Sequence, residues 1–223
     1  MVEILEEAEV DTAIAKLRRD YRPSGGDSRR CVVGRCPSRL LTLARILNSV
    51  AQLGGKMERT VITSTKGVAG ISRPFKSIIE RLDLHDEDTM MYVGLPGVCT
   101  PFVELLSYAI RTLAIKQVFV ADLDLSLAKT VVPVDHVGIQ FADPVEIDKA
   151  KVIIVLGGLA MPISPVSLED VSEFLERVLL PGGLVIGVSF MNMFEQVRWT
   201  SVIPFNFLID ATIDPVRVEQ FSR

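Results

Sequence analysis

Cysteine is scarce in this sequence and odd in number. Cys31, Cys36 and Cys99 are all there is, so no disulfide framework can be drawn. Basic residues are not in excess either. Lys and Arg number 24 against 28 Asp and Glu, a net charge of -4, which leaves no electrostatic footprint for non-specific DNA or RNA binding. Long apolar runs are missing. The best candidate, 152–162, is too short and too rich in glycine to span a bilayer, so no membrane partner is expected. The N-terminus lacks both a basic region and a long apolar core, so it does not read as a signal peptide, and a cytoplasmic location is expected. Asn and Gln are few, a composition that leans toward thermophiles. What remains is a chain of 223 residues, 48% hydrophobic, enough for one large domain with an appendage. A small-molecule ligand or a protein partner is the default expectation.

The first part reads as an extension. An amphipathic helix over 2–19 carries Ile4, Leu5, Ala8, Ile14 and Leu17 on its apolar face. The stretch 22–30 is a loop rich in Pro, Gly and Ser, and a second helix runs over 38–52 from Ser38 to a Gly54-Gly55 stop. Each helix is too short to stand alone, so both are expected to pack on the main domain or on a second subunit, which would make a homodimer. The division falls between 1–57, an N-terminal helical extension, and 58–223, an α/β domain.

From there strands and helices alternate. Strands are expected over 59–63, 90–95, 117–121, 137–141, 152–156 and 184–189. Helices are expected over 72–82 with Pro74 in the first turn, from Thr100 to about 113, over 125–130, and from Ser167 to 180. Ser167 with Asp170 three residues on has the form of a capping box. The apolar run 152–156 is how a strand covered on both faces reads. Short connections between alternating elements argue for a doubly wound, mostly parallel Rossmann-like sheet. The stretches 205–213 and 216–221, joined across Asp214-Pro215, read as an antiparallel hairpin closing it at the C-terminus.

In such a sheet ligands bind beyond the carboxyl ends of the strands, and four features fall there. Gly94, Gly97, Val98 and Cys99 form the loop before a helix; its glycines either let a ligand approach the backbone or merely shape the turn. Asp122, at the end of the strand 117–121, either accepts hydrogen bonds from ribose hydroxyls or caps the next helix, with Asp124 the better cap. Asp143 either meets an exocyclic amine or is a turn residue before Pro144. Gly157 and Gly158 would be a pocket wall that supplies no acid, base or nucleophile. Cys99 at a helix start has a nucleophile's position, but no histidine is near it in sequence, and a small packed residue is the simpler account. Cys31 and Cys36 have no second pair with which to hold zinc. His85 lies in an acidic turn, Lys66-Gly67 lacks P-loop order, and Arg29, Arg30, Arg35 and Arg39 form a basic cluster that a solvated loop explains.

The order of these pieces resembles the class I S-adenosylmethionine-dependent methyltransferase fold over about 90–221. MYVGLPGVCTPFVELL stands where that family has its first strand, glycine-rich loop and helix, and VFVADLDLSLAK is similar to its acidic second strand end. VGIQFADP resembles its third strand, and FLERVLLPGGLVIGVSF its helix, Leu-Pro-Gly-Gly turn and apolar strand. The resemblance implies S-adenosylmethionine as cofactor. Gly94, Gly97, Asp122 and Asp143 would line one pocket, with the backbone of Gly97, Val98 and Cys99 at the amino-acid end, Asp122 at the ribose, Asp143 at the adenine, and Gly157 and Gly158 as a wall. Two features differ from that family. Gly94 and Gly97 are three apart around Pro96, in place of GxGxG, and the strand before Gly157-Gly158-Leu159 ends without an acidic motif. The Gly97 loop, 157–161 and the terminal DPVRVEQ also look faintly like nicotianamine synthase. The whole is similar to a small, uncharacterised archaeal family of this fold.

Two functions are expected. One is an S-adenosylmethionine- or nucleotide-binding enzyme that transfers a methyl or related group to a small molecule, for which positioning alone would suffice. The other is a non-catalytic Rossmann-like protein acting in assembly or ligand sensing. A dinucleotide oxidoreductase is disfavoured by the absence of GxGxxG spacing.

Overall fold

In the computed structural model, residues 59–82, 84–213 and 217–220 are described. The expected helices over 2–19 and 38–52, and Cys31, Cys36 and the four arginines, lie outside them. The elements in chain order are α1 (Ala69–Arg81), β1 (Thr89–Gly94), α2 (Thr100–Ala109), β2 (Lys116–Ala121), β3 (Lys129–Val134), β4 (Gly138–Pro144), β5 (Ala150–Leu156), α3 (Leu168–Val178), β6 (Leu179–Phe190), α4 (Met193–Gln196) and β7 (Phe207–Ala211). They make one mixed α/β sheet of seven strands, mostly parallel, in the order β4-β3-β2-β1-β5-β6-β7. Strand order reverses direction between β1 and β5, which pair in parallel from Met90↔Val152 to Val93↔Val155.

Two-residue periodicity sorts the sheet's side chains into two cores. Met90, Tyr92, Val152, Ile154, Ile186 and Val188 point into the layer shared with Phe75 and Ile79 of α1 and Val103 and Leu106 of α2. Met91, Val93, Ile153, Val155 and Val185 point into the opposite layer with Val171, Phe174 and Val178 of α3 and with Phe194 and Trp199. The apolar run 152–156 is buried throughout, as expected of a strand covered on both faces. Two large polar side chains buried at the centre satisfy each other: Tyr92 donates from its hydroxyl to Gln117 Oε1 at 2.9 Å.

Several expectations need correcting. The expected strand over 59–63 has no regular structure; Arg59 is instead held by an ion pair to Glu195 at 2.9 Å. Pro74 sits inside α1, not in its first turn. A proline there leaves the carbonyl four residues back without its helical donor, and that carbonyl, on Gly70, accepts from Thr65 Oγ1 at 2.7 Å. The expected helix over 125–130 shrinks to a 3-10 turn, Leu125–Leu127. The residues after it are rich in Val and Thr, which favour extended backbone, and they form β3.

The strand expected to be parallel over 137–141 is β4, the return arm of a hairpin with β3 that pairs Val131↔Phe141 and Val134↔Gly138. Its tight turn places His136 at φ 59 and Gly138 at φ 111. Pro133 lies beyond the two-residue pairing of β3 with β2, so its missing N–H breaks no ladder bond on that side. At the other end of the sheet the expected antiparallel hairpin is overturned. β7 pairs with β6 in parallel, Ile186↔Phe207 to Phe190↔Ala211, and 217–220 form no strand. Parallel neighbours need a crossover of about a dozen residues or more, and α4 with the 3-10 turn at Trp199–Ser201 supplies it.

The return from β4 to β5 is also unlike a winding helix. Residues 145–149 carry no regular structure, and Val145 and Ile147 pack into the second core. The helix α3 is fixed by the expected capping box. Asp170 N–H donates to Ser167 Oγ at 3.1 Å, while Ser167 N–H donates to Asp170 Oδ2 at 2.8 Å. Replacing Ser167 by Ala is expected to lower unfolding free energy by about 1 kcal/mol, read as a shifted denaturant midpoint with an unchanged slope. No change would mean that the packing of Val171, Phe174 and Val178 alone holds this helix start.

Candidate functional site

The carboxyl ends of β1, β5 and β6 meet at the point where strand order reverses, the usual ligand position in open parallel sheets. Here three chain segments compete for the same space. Cys99, at the start of α2, is 2% exposed. Its N–H closes the loop by donating to the Leu95 carbonyl at 2.9 Å. A Cβ on Gly94 would lie 2.7 Å from Cys99 Cβ, and one on Gly158 would lie 2.4 Å from Cys99 Sγ. A Cβ on Gly157 would meet Ser189 Cβ at 2.8 Å. These three glycines therefore make room for the protein's own side chains. Gly97 differs: at φ +76, a Cβ placed on it would have no neighbouring atom within 4 Å, so its backbone faces open space.

Burial of the Cys99 thiol pushes its pKa up from the usual 9.0. The backbone N–H groups of Leu95 and Gly158 face the sulfur and pull the other way, while the nearby Asp122 charge adds to the rise. At neutral pH Cys99 is a protonated, shielded thiol and not an activated nucleophile. The space left beside it is a cleft of about 80 Å³. Val98, Cys99, Gly157 and Gly158 line it together with Phe102, Phe190, Met161 and Met193. The two phenylalanine rings are 4.4 Å apart, centre to centre.

Asp122 comes directly after β2 and is bound to the same corner, since its N–H donates to the Gly94 carbonyl at 3.2 Å. Asp122 and Leu123 are both left-handed, at φ 49 and 64. Two such residues in succession turn the chain out of β2 toward the hairpin, at a cost of roughly 1–2 kcal/mol each. One carboxylate oxygen of Asp122, Oδ1, is buried without a hydrogen-bond partner. Asp124 has a different duty. Its Oδ1 accepts from Ser126 N–H at 2.9 Å and from Ser126 Oγ at 2.7 Å, and these bonds hold its carboxyl below the usual value. Asp143 is not brought to the site. It is exposed on β4, at the sheet edge, with β3 and β2 between it and β1.

A polar cluster that sequence reasoning missed lies at the ends of β6 and β7. Ser189 donates to Asp210 Oδ1, and the Asn192 N–H reaches both Asp210 oxygens at 3.1 Å. The signal was present, a Ser and an Asp near the ends of two apolar strands, but it carries meaning only when those strands are parallel neighbours. Among the described residues no group of three or more His, Cys, Asp and Glu is placed to hold a metal ion. No helix among them is long and apolar enough to cross a membrane.

Fold and corner together define a mixed α/β protein with one mostly parallel sheet and a tightly filled switch point. The chain belongs to a family of uncharacterised proteins conserved in archaea, DUF2124, whose model matches residues 66–214. It is similar to an uncharacterised protein of Methanocaldococcus jannaschii, 32% identical over 161 residues that cover 72% of this chain and 95% of that one. A protein of Methanothermobacter thermautotrophicus is 33% identical over 147 residues, 64% of this chain and 94% of that one. The crystal structure of a protein of unknown function from the same organism superposes with a TM-score of 0.65 at 26% identity, covering 73% of this chain and 99% of that one.

The contact of Cys99 with the two glycines makes a specific prediction. Gly158→Ala is expected to destabilise the fold by about 1–3 kcal/mol through overpacking. Adding Cys99→Ala should recover much of that loss, because the clash is with Sγ and the other neighbours lie at 3.4 Å or beyond. Gly94→Ala should not be rescued, because its clash includes the Cβ that alanine keeps. Denaturant unfolding of the two double-mutant cycles checks this, and equal rescue in both would refute the packing described.

The raised thiol pKa also fixes the sign of a pH effect. The folded thiol keeps its proton where the unfolded one loses it, so this stability is complete below the unfolded value of 9.0 and declines as pH rises above it. Buried Tyr92, raised above 10.0, adds to the decline at higher pH. Unfolding free energy should therefore fall as pH rises through 9.0 and beyond. Cys99→Ala should flatten the first part of that fall, and an identical slope in wild type and variant would count against it.

Proposed function

We propose that this chain is a non-catalytic, Rossmann-like protein that binds a small molecule at the carboxyl ends of β1 and β5, in ligand sensing or assembly. One observation carries the reading: the crevice where a cofactor's phosphate or amino-acid end would enter is filled by Cys99 against Gly94 and Gly158. The space that remains, about 80 Å³, compares with roughly 300–1,000 Å³ for sites that enclose cofactor-sized ligands. Two described acids near the corner support it. Asp124 caps a turn and Asp210 ties Ser189 to Asn192, so both are committed to holding the chain. The test is mass spectrometry of ligands carried through native purification, then titration with S-adenosylmethionine and NAD. The expected result is a small co-purifying molecule that is released chemically unchanged. Transfer of a methyl or related group from S-adenosylmethionine would overturn the reading.

A second reading, an S-adenosylmethionine-dependent transferase, is favoured by the unpartnered Oδ1 of Asp122 at the end of β2. The resemblance to methyltransferases puts the ribose-binding acid at that point. The other expected contacts do not fit the cofactor: Asp143 is exposed at the far edge of the sheet, and three of the four glycines serve internal packing. On this second reading Asp122→Ala would weaken binding of S-adenosylmethionine by about 1.5–3 kcal/mol, or ten- to a hundredfold. Asp124→Ala would leave it unchanged. Isothermal titration of both variants decides, and undetectable affinity in the wild type removes this reading.

A further inference from the structure

The outer side of β7 is unfinished. β7 ends the sheet, and among the described residues nothing pairs with it there. Phe207 and Ile209 pack on the first core and Leu208 on the second, yet all five residues of β7 are only half-buried. The usual guards of an edge strand are missing. β7 has no Lys, Arg or Pro, and the carboxylate of Asp210, its one charge, is turned onto Ser189 and Asn192. The same chain carries a strand-forming segment without a partner. Residues 60–63, Thr-Val-Ile-Thr, are all β-branched, a composition suited to extended backbone. They form no regular structure, and Val61 and Ile62 are 80% and 72% exposed.

Topology says where such a strand belongs. α1 leads to the start of β1, so α1 begins at the carboxyl ends of the strands, and a strand feeding it would run parallel to β1. Crossovers between parallel strands share one hand. The connection β1–α2–β2 lies on the face of the first core and moves from β1 toward β4. α1 lies on the same face, so the strand before it must come from the β7 side of β1, and the open position there is beyond β7. α1 already lies against β7. Residues 64–68 would be the connection, within the usual range of roughly two to six residues. Val61 and Ile62, being consecutive, would point to opposite faces. Each would meet an apolar neighbour, Phe207 or Ile209 on one face and Leu208 on the other. What holds the segment away is the Arg59–Glu195 pair at 2.9 Å. Glu195 lies in α4, just beyond the carboxyl end of β6, whereas docking places residue 59 about 13 Å from residue 63 toward the amino end of β7. The pair must therefore break. We propose that the outer edge of β7 is a docking site for residues 60–63 of the same chain, which join as an eighth, parallel strand, and that the Arg59–Glu195 pair is the latch that keeps them off.

The experiment is amide hydrogen exchange of the full chain, read by NMR, on wild type, Glu195→Gln and Ile62→Pro, each in low and high salt. Docking should protect the amides of Val61 to Thr63 together with those of β7 that face away from β6. An exposed ion pair biases such an equilibrium by up to about fivefold, so Glu195→Gln should raise this protection by up to that factor. Its amide oxygen still accepts from Thr200 Oγ1, which keeps α4 in place. High salt should have the same effect on wild type, by screening the pair, and little on Glu195→Gln. Ile62→Pro removes a ladder donor at an exposed position. It should abolish the protection of the outer β7 amides while those of β1 and β5 stay protected, which separates lost docking from lost folding. Val61 to Thr63 exchanging as free chain in Glu195→Gln at high salt would overturn the proposal. So would outer β7 protection that survives Ile62→Pro. Protection that appears only with a doubled, concentration-dependent mass would assign the edge to a second copy and overturn docking within one chain. None of these outcomes depends on a ligand at the cleft.

Discussion

Close approach at the switch point is the constraint on which the rest of the structure depends. The parallel pair β1·β5 forms the centre of the sheet, and the loops leaving its two strands must pass within contact distance of each other and of Cys99. Any side chain at Gly94 or Gly158 would force the loops apart. The start of α2 would then move, and with it Val103 and Leu106, which lie beneath α1 in the first core. Interiors are close-packed, so such a displacement is not absorbed locally. Cys99 combines small volume with apolar character, and its raised pKa keeps it uncharged, as the buried position demands.

This arrangement reverses the meaning of the motif that points, in the sequence, to a cofactor. Glycines after a strand admit a close neighbour, and the pattern cannot say whether that neighbour is a ligand or the protein. For Gly94, Gly157 and Gly158 it is the protein; for Gly97 it is open space. For Gly157 and Gly158 the distinction lies in contacts with Ser189 and Cys99, residues distant in sequence, which no local pattern records. What is governed locally was legible. The buried run of β5, the Ser167–Asp170 box and the capping role of Asp124 all rest on residues within a turn or a strand of one another.

The parts that were not legible share a cause. The strands β3, β4 and β7 differ from expectation in partner or direction because pairing is decided by the length and course of the connection, and two connections are not what the sequence suggests. The β-branched stretch after Leu127 reads as the end of a helix, which hides β3 and turns a hairpin into a supposed parallel strand. The short α4 gives no clear periodic signal, and without it there is no crossover to bring β7 parallel to β6. Once β7 is placed, Asp210 falls beside Ser189, and a polar cluster invisible in the linear chain is formed.

That cluster and the turn after β2 hold opposite sides of the same corner, and they do so at different cost. On the β6 side, Met191 and Asn192 are left-handed, and the strain is offset by bonds from Asn192 N–H to Asp210. On the β2 side, Asp122 and Leu123 are equally left-handed; Leu123 is anchored in the second core and Asp122 N–H is satisfied by Gly94. The difference is the carboxylate. Asp210, on β7, uses its oxygens to stabilise the turn that follows β6, whereas Asp122 leaves one oxygen buried and unpaired. Leaving a charged acceptor without a donor costs more than a neutral one would, on the order of 1–3 kcal/mol or more. The contacts of Cys99 are tightened at this corner, and the Asp122 oxygen, with Ser107 Oγ one of two buried unpaired side-chain oxygens among the described residues, is left without a donor.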